Sequence, residues 1–513
     1  MDARSPFNQC LALSLAGILF LNPIVSAAAQ LSVDPASPGT SIDQAPNGVP
    51  VVNIAGPNGS GLSHNLFTDY NVGSNGLILN NATNATQNTQ LGGVILGNPG
   101  LQGQAASVIL NEVTGGNRSH LGGYTEVAGQ AARVIVANPL GITCNGCGFI
   151  NTPRATLTTG KPVLDGGRLD HFRVDGGDIA LEGAGLNARN VGQFDLITRT
   201  AKLNAQLHAD QLNIITGRND VSADSLQTRA HADDGREKPQ LAIDASALGG
   251  MYAGAIRLIG TEQGVGVRLA GDMASTAGDI VINANGGLSL AHTTSVGALN
   301  ATAASIELQG PTFAAGDVDL QAQGDLVVQH TLASAGNVHL QAATVSNQGK
   351  VVSGIQEDQR IAGKQLRITA ERLDNQGELN ASGHLDIKTA VVDNRGNIAA
   401  DSAEIEARQQ INNSGQIVTA RELSLSAQQV NNQSGTLHTE GHLNLIADAV
   451  SNSGKTVAAG NITLAANTFD NSGELLSDGD LQLTLDADLH NSGLIAVKGD
   501  ATLSARNLIQ NHG

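Results

Sequence analysis

Cys144 and Cys147 stand three positions apart in residues 138–149, NPLGITCNGCGF, surrounded by Gly and Asn. Two thiols at this spacing can ligate a metal, cycle between reduced and oxidised states, or close a turn covalently. A structural zinc needs about four ligands. The only other cysteine is Cys10, and the 13 His have no acidic or Cys companions at ligand spacing, so no metal is expected. Thioredoxin-like chemistry expects the pair at a helix start in a βαβ setting, and this stretch lies among strand and turn residues. A disulfide closing Cys-Asn-Gly-Cys remains, with free thiols as the alternative because so small a ring is strained.

Other residues with chemical potential reduce to turns. Gly454-Lys455-Thr456 has the end of a phosphate-binding loop, but position 449 is Ala where that loop needs Gly. Asp165-Gly166-Gly167 and Asp175-Gly176-Gly177-Asp178 have the Gly-Asp chemistry of calcium-binding nonapeptides without their repetition. Asn81-Ala82-Thr83 and Asn84-Ala85-Thr86 are sequons in a polar loop. No HExxH or GxSxG occurs, so neither an enzyme nor a cofactor is expected.

The elements that hold these residues are written in the composition. Of 513 residues, 62 are Gly, 2% are aromatic, none is Trp and 14% are charged, while 41% are hydrophobic. Such a core must be thin and aliphatic. Acidic residues outnumber basic ones 46 to 28, for a net charge of −18, and no basic block is present to neutralise phosphates; nucleic acid is not an expected partner. Residues 1–29 read as an export signal: Arg4, then an apolar run over 11–21, then Ala27-Ala28-Ala29 with cleavage before Gln30. Export places Cys144 and Cys147 where disulfides persist.

A short Asn-x-Gly turn recurs from residue 347. Its glycines fall at 349, 377, 396, 415, 435, 454, 473, 493 and 513, every interval after the first being 19 or 20. Between turns, stretches such as 461–466 and 480–485 alternate apolar and polar residues, the mark of strands with one buried face. One such repeat cannot bury that face alone, but stacked copies can, as a parallel β-helix with coils of about 20 residues. An Asn at one corner of every coil would stack its amides into a ladder, and Asn tolerates left-handed turn conformations. At ~4.8 Å per coil, roughly 24 coils would make a rod of about 110 Å. Residues 241–343 alternate with a less regular period, and 232–239, ADDGREKP, read as a loop leaving the stack. The sequence stops on a repeat corner without an atypical terminal cap, so a longer chain is expected.

Residues 105–160, AASVILNEVTGGNRSHLGGYTEVAGQAARVIVANPLGITCNGCGFINTPRATLTTG, closely resemble the secretion domain of two-partner-secretion exoproteins, the filamentous hemagglutinin and contact-dependent growth-inhibition family. The likeness extends upstream through residues 49–54 and 64–72 and downstream through 172–174, 182–186, 204–207 and 248–252. It implies an all-β, right-handed parallel β-helix. It implies a signal peptide over 1–29, a secretion domain over 30–270 with a motif core at 45–167, an irregular transition over 271–344, and hemagglutinin-type repeats over 345–513. The family's NPNL and NPNGI motifs correspond to Asn98-Pro99-Gly100-Leu101 and Asn138-Pro139-Leu140-Gly141-Ile142, each departing at its third residue. The first motif is tied to transporter recognition and the second to structure; by residue chemistry both are turn starters.

The resemblance further implies a partner, an outer-membrane β-barrel transporter with periplasmic recognition domains, through which the chain passes unfolded to the surface of a Gram-negative cell. The rod would then act as an adhesin or hemagglutinin on a host or bacterial cell-surface receptor. The alternatives are the stalk of a contact-dependent growth-inhibition toxin and a hemolysin-type relative.

Overall fold

The computed structural model describes residues 31–356 and 358–512; the signal segment and the expected cleavage between Ala29 and Gln30 lie outside the described residues. Its regular structure is β, apart from one 3-10 turn at Pro99–Leu101. Forty-eight strands join into one hydrogen-bonded network, wound as a parallel solenoid.

Three ladders of strands run along the repeats. One stacks Leu385, Ala403, Leu423, Leu443, Ile462 and Leu481. A second stacks Val392, Ile411, Val430, Val450, Phe469 and Leu489. The third stacks Leu379, Ile398, Ile417, Leu437, Thr456 and Leu475. Period-two alternation sends these side chains inward, where they fuse into one core running from Val52 to Leu489. Each coil thus covers the apolar edge of the one before it, and stability comes from the interfaces rather than from any coil alone.

At one corner, Asn347, Asn375, Asn394, Asn413, Asn432, Asn452, Asn471, Asn491 and Asn511 form a continuous amide ladder. From Asn347 to Asn491, each Nδ2 donates to the Oδ1 of the Asn on the next coil at 2.6–2.8 Å. The second Nδ2 hydrogen reaches a backbone carbonyl, such as Gln416 from Asn394 or Thr436 from Asn413. The physical basis of the corner differs from the left-handed turn expected of Asn: none of these Asn has positive φ. Glycine follows them because the coils approach so closely. A Cβ on Gly396 or Gly415 would lie 2.0 Å from the carbonyl oxygen of the preceding coil's glycine.

The N-terminal part is less regular. On one ladder the successive rungs are Leu62, Val108, Arg133 and then Arg154, Gln193, Gln211 and Ala255, with long excursions between several of them. The rod therefore has fewer coils than length divided by twenty gives. The excursions make antiparallel additions. Ser32–Val33 pairs with Leu62–Asp69 and Ser41–Gln44 with Pro50–Asn53, at the N-terminal end of the stack. A four-stranded sheet of Lys161–Asp165, Arg168–Val174, Asn219–Ser222 and Thr228–Ala230 lies on the outside of the solenoid. Its Phe172, Val174 and Val221 pack on Leu110, Ile135, Ile197 and Ile215, outward side chains that would otherwise face water. Residues 232–239 are irregular and largely exposed.

Candidate functional site

The two Asn-Pro corners share one construction. Asn98 caps the turn Pro99–Leu101: its Oδ1 accepts from the Gly100 N–H at 2.9 Å, and its Nδ2 donates to the carbonyls of Ile54 and Asn80 at 2.8 and 3.0 Å. Asn138 likewise accepts from the Leu140 N–H at 3.0 Å and donates to the Asn117 carbonyl and Ser119 Oγ, both at 2.9 Å. Both Asn side chains are buried, so each closes its own turn while stitching it to a neighbouring segment. The third positions, Gly100 and Leu140, are exposed and contribute only backbone to these turns. Leu101 and Ile142 return to the core, 2% and 0% exposed.

Gly141 shows what lies behind the second corner. Its φ is +113°, and a Cβ there would sit 2.5 Å from Arg118 Nη1 and 2.8 Å from the Asp178 carbonyl. Arg118 spans three coils: it makes a two-pronged pair with Asp178 (2.8 and 3.0 Å) and donates to Thr143 Oγ1 and the Ile142 carbonyl. Asp178, which in the sequence belongs to a Gly-Asp turn, is thus an arginine partner. Sequence reasoning missed Arg118, which sits in GGNRSH with no periodic or motif signal.

Cys144 and Cys147 lie at the next corner, 0% and 2% exposed, with their sulfurs within bonding distance and their Cα atoms 5.4 Å apart. Cys144 stacks between Leu121 and Leu181, and Cys147 is in register with Leu186. The intervening Asn145-Gly146 turn is exposed or half-buried, with Gly146 at φ +84°. The pair therefore occupies a core position of two successive faces. Beyond this corner, Arg154 pairs with the fully buried Asp195 at 2.7 Å, beside Arg133, whose guanidinium is pulled down to about 10 by burial and by the Arg154 charge.

The remaining sequence candidates have structural partners. Lys455 pairs with Glu474 on the next coil at 3.5 Å, and Thr456 is a buried ladder residue. Asn81 is buried and its Nδ2 holds the carbonyls of Ala106 and Gln130, whereas Asn84 is exposed. Gly166 and Gly167 make the turn between Lys161–Asp165 and Arg168–Val174.

The solenoid that carries these corners matches the TPS secretion domain over residues 29–290, and the Haemagglutinin repeat over 294–370, 355–404, 398–473 and 457–513. The chain belongs to the two-partner-secretion (TPS) exoproteins. A 16S rRNA endonuclease CdiA of Enterobacter cloacae is 43% identical over 435 residues, 80% of this chain and 13% of the relative. A tRNA nuclease CdiA of Yersinia mollaretii is 39% identical over 77% of this chain and 15% of its own length. The TPS chain thus spans only 13–15% of the length of these curated relatives. Among solved structures, the filamentous hemagglutinin secretion domain superposes with a TM-score of 0.52 at 33% identity, covering 57% of this chain and 99% of that one. Fold and family are those of a secreted β-helical exoprotein of the Gram-negative cell surface, and a TPS secretion domain implies a cognate outer-membrane transporter.

Proposed function

We propose that the N-terminal solenoid is the transporter-recognised export module and that the repeats are a surface rod, with Asn98-Pro99-Gly100-Leu101 the contact with the transporter's periplasmic recognition domains. The observation that carries this reading is the exposure of Pro99 and Gly100 on a turn whose Asn98 is buried and fully hydrogen-bonded. Asn138-Pro139-Leu140-Gly141-Ile142 is then a structural corner, tied down by Arg118, and the Cys144–Cys147 disulfide stiffens the turn after it. The ring is small, so its effect on overall stability is about 1–2 kcal/mol. The rod acts as an adhesin on a host or bacterial cell-surface receptor.

A second reading, the stalk of a contact-dependent toxin, is favoured by one specific observation: the CdiA relatives are named as nucleases and align along both secretion domain and repeats. In either reading the residues described here deliver and display rather than react. Deleting residues 30–220 and co-expressing the product with the cognate transporter tests the export role. Signal cleavage is expected to persist while surface delivery is lost; normal amounts of the deleted protein in the medium would refute the assignment.

A further inference from the structure

At the end of one strand ladder in the repeats, the position that turns the corner is alanine on coil after coil: Ala342, Ala370, Ala407 and Ala427 occupy it in turn. Between Ala370 and Ala407 the residue is Thr389. It is 5% exposed, and its hydroxyl has no hydrogen-bond partner. A buried hydroxyl left unpaired is costly, and alanine fills the same place on the neighbouring coils, so the fold has no need of this threonine.

Thr389 lines a groove of about 550 Å³ on the outside of the solenoid. Along the groove runs an outward row, Gln341, Thr369, Lys388, Glu406 and Ser426, in register from coil to coil. Beside it Arg408 reaches over the intervening coil to Glu371. Two acids therefore face two bases, and the groove selects for neither an anion nor a cation. Its hydrogen-bonding capacity is unfilled. Lys388 Nζ stands 4.0 Å from Asp386 Oδ1 and 3.9 Å from Glu406 Oε2, too far to bond to either, and Asp386 Oδ1 has no other partner. A group that closes such a gap must accept from the ammonium and donate to a carboxylate, and a hydroxyl does both without carrying charge.

We propose that this groove binds an uncharged, extended oligosaccharide lying along the rod axis, with hydroxyls that bridge Lys388 to Glu406 and meet Thr389. Coils recur every ~4.8 Å, roughly the length of one sugar residue in an extended chain, so successive rings meet successive coils. None of the described residues lining the groove is aromatic, so the rings have no face to stack on and a single groove binds weakly. Many rods on one cell raise the avidity without any new contact. The proposal rests on the reading of the repeats as an adhesive rod and names the receptor's class, a neutral surface glycan. It is tested by titrating the whole secreted chain with chitohexaose, cellohexaose and a sulfated hexasaccharide, and by measuring adhesion of cells that display the same chain.

The two neutral chains are expected to bind. Thr389→Ala, which restores the residue of the neighbouring coils, should bind them at least about tenfold more weakly with an unfolding midpoint no lower than the parent's, while Thr463→Ala, exposed on a distant coil, binds normally. Should Thr389→Ala unfold, Lys388→Gln on the exposed row carries the test, with the same loss expected. No binding of either neutral chain, or binding by both groove variants within about twofold of the parent, overturns the proposal. Tighter binding of the sulfated chain than of either neutral one assigns the groove to an anion and overturns it equally. Adhesion of the displaying cells without oligosaccharide binding removes the groove and leaves the adhesive rod standing; oligosaccharide binding without adhesion refutes the adhesive role instead.

Discussion

A buried amide serves its position in this molecule by having two hydrogens and one oxygen to place. Asn413 receives the Asn394 amide at 2.7 Å and donates to Asn432 at 2.8 Å, so it is both acceptor and donor inside a corner from which water is excluded. Leucine at this position would leave the Asn394 hydrogen and the Asn432 oxygen without partners. The expected cost of Asn413→Leu is about 2–4 kcal/mol, from two buried polar groups left unsatisfied. Asn413→Asp keeps the acceptor, loses the donor and buries a charge facing the Asn432 oxygen, so it should be no milder. Urea unfolding followed by circular dichroism would rank the two; a leucine variant as stable as the parent would show that the ladder adds nothing. The ladder residues were legible in the sequence because they recur, whereas the reason for their glycines was not, since close approach between coils leaves no trace within a single repeat.

Among the elements, the four-stranded outer sheet is where charge matters most. Asp220 on Asn219–Ser222 faces His231 at 3.0 Å, Arg173 at 3.3 Å and His171 at 3.7 Å, with Asp170 and Asp175 on the far sides of the two histidines. Partial burial works to raise the Asp220 carboxyl, but hydrogen bonds from His231 and Arg173 and the charges of His231 and His171 carry it below the usual carboxylate range. A carboxyl lowered by folding stabilises the folded sheet above its unfolded value near ~4, and that contribution is lost as pH falls through the lower folded value. Asp220→Asn should therefore be less stable than the parent at neutral pH, with the gap closing below about pH 4. Thermal unfolding across that range checks it, and a gap independent of pH would exclude the ion cluster as its cause. This sheet was invisible to sequence reasoning. Arg168–Val174 pairs with Asn219–Ser222 across two intervening coils, and antiparallel strands contributed by single excursions have no period to detect.

At the scale of the whole molecule, each coil packs on its neighbours, and most charge pairs of the repeats follow the same rule, whereas Arg408–Glu371 in the repeats and Arg118–Asp178 in the N-terminal part reach over an intervening coil. Arg367–Asp386, Arg372–Asp393, Arg421–Asp401, Lys455–Glu474, Lys498–Asp478 and Arg506–Asp486 each join one coil to the next. Surface pairs of this kind are individually weak, so the core ladders carry most of the cohesion. The repeat architecture was readable because the period is written in residue spacing; the secretion domain was recognisable by resemblance, while Arg118, which ties down its second Asn-Pro corner, stands alone in the sequence.

The glycine and asparagine that make every corner alike also make the corners interchangeable. Excising residues 395–413 would join Asn394 to Ser414, bring Leu379 onto Ile417, Leu385 onto Leu423 and Val392 onto Val430, and let the Asn394 amide meet Asn432. The shortened protein is expected to fold, to be exported and to unfold at nearly the parent's denaturant concentration; aggregation or loss of secretion would show that this coil is not equivalent to its neighbours. Reach from the cell surface then becomes a quantity that recombination between repeats can change in steps of one coil, ~4.8 Å at a time, without redesigning anything at either end.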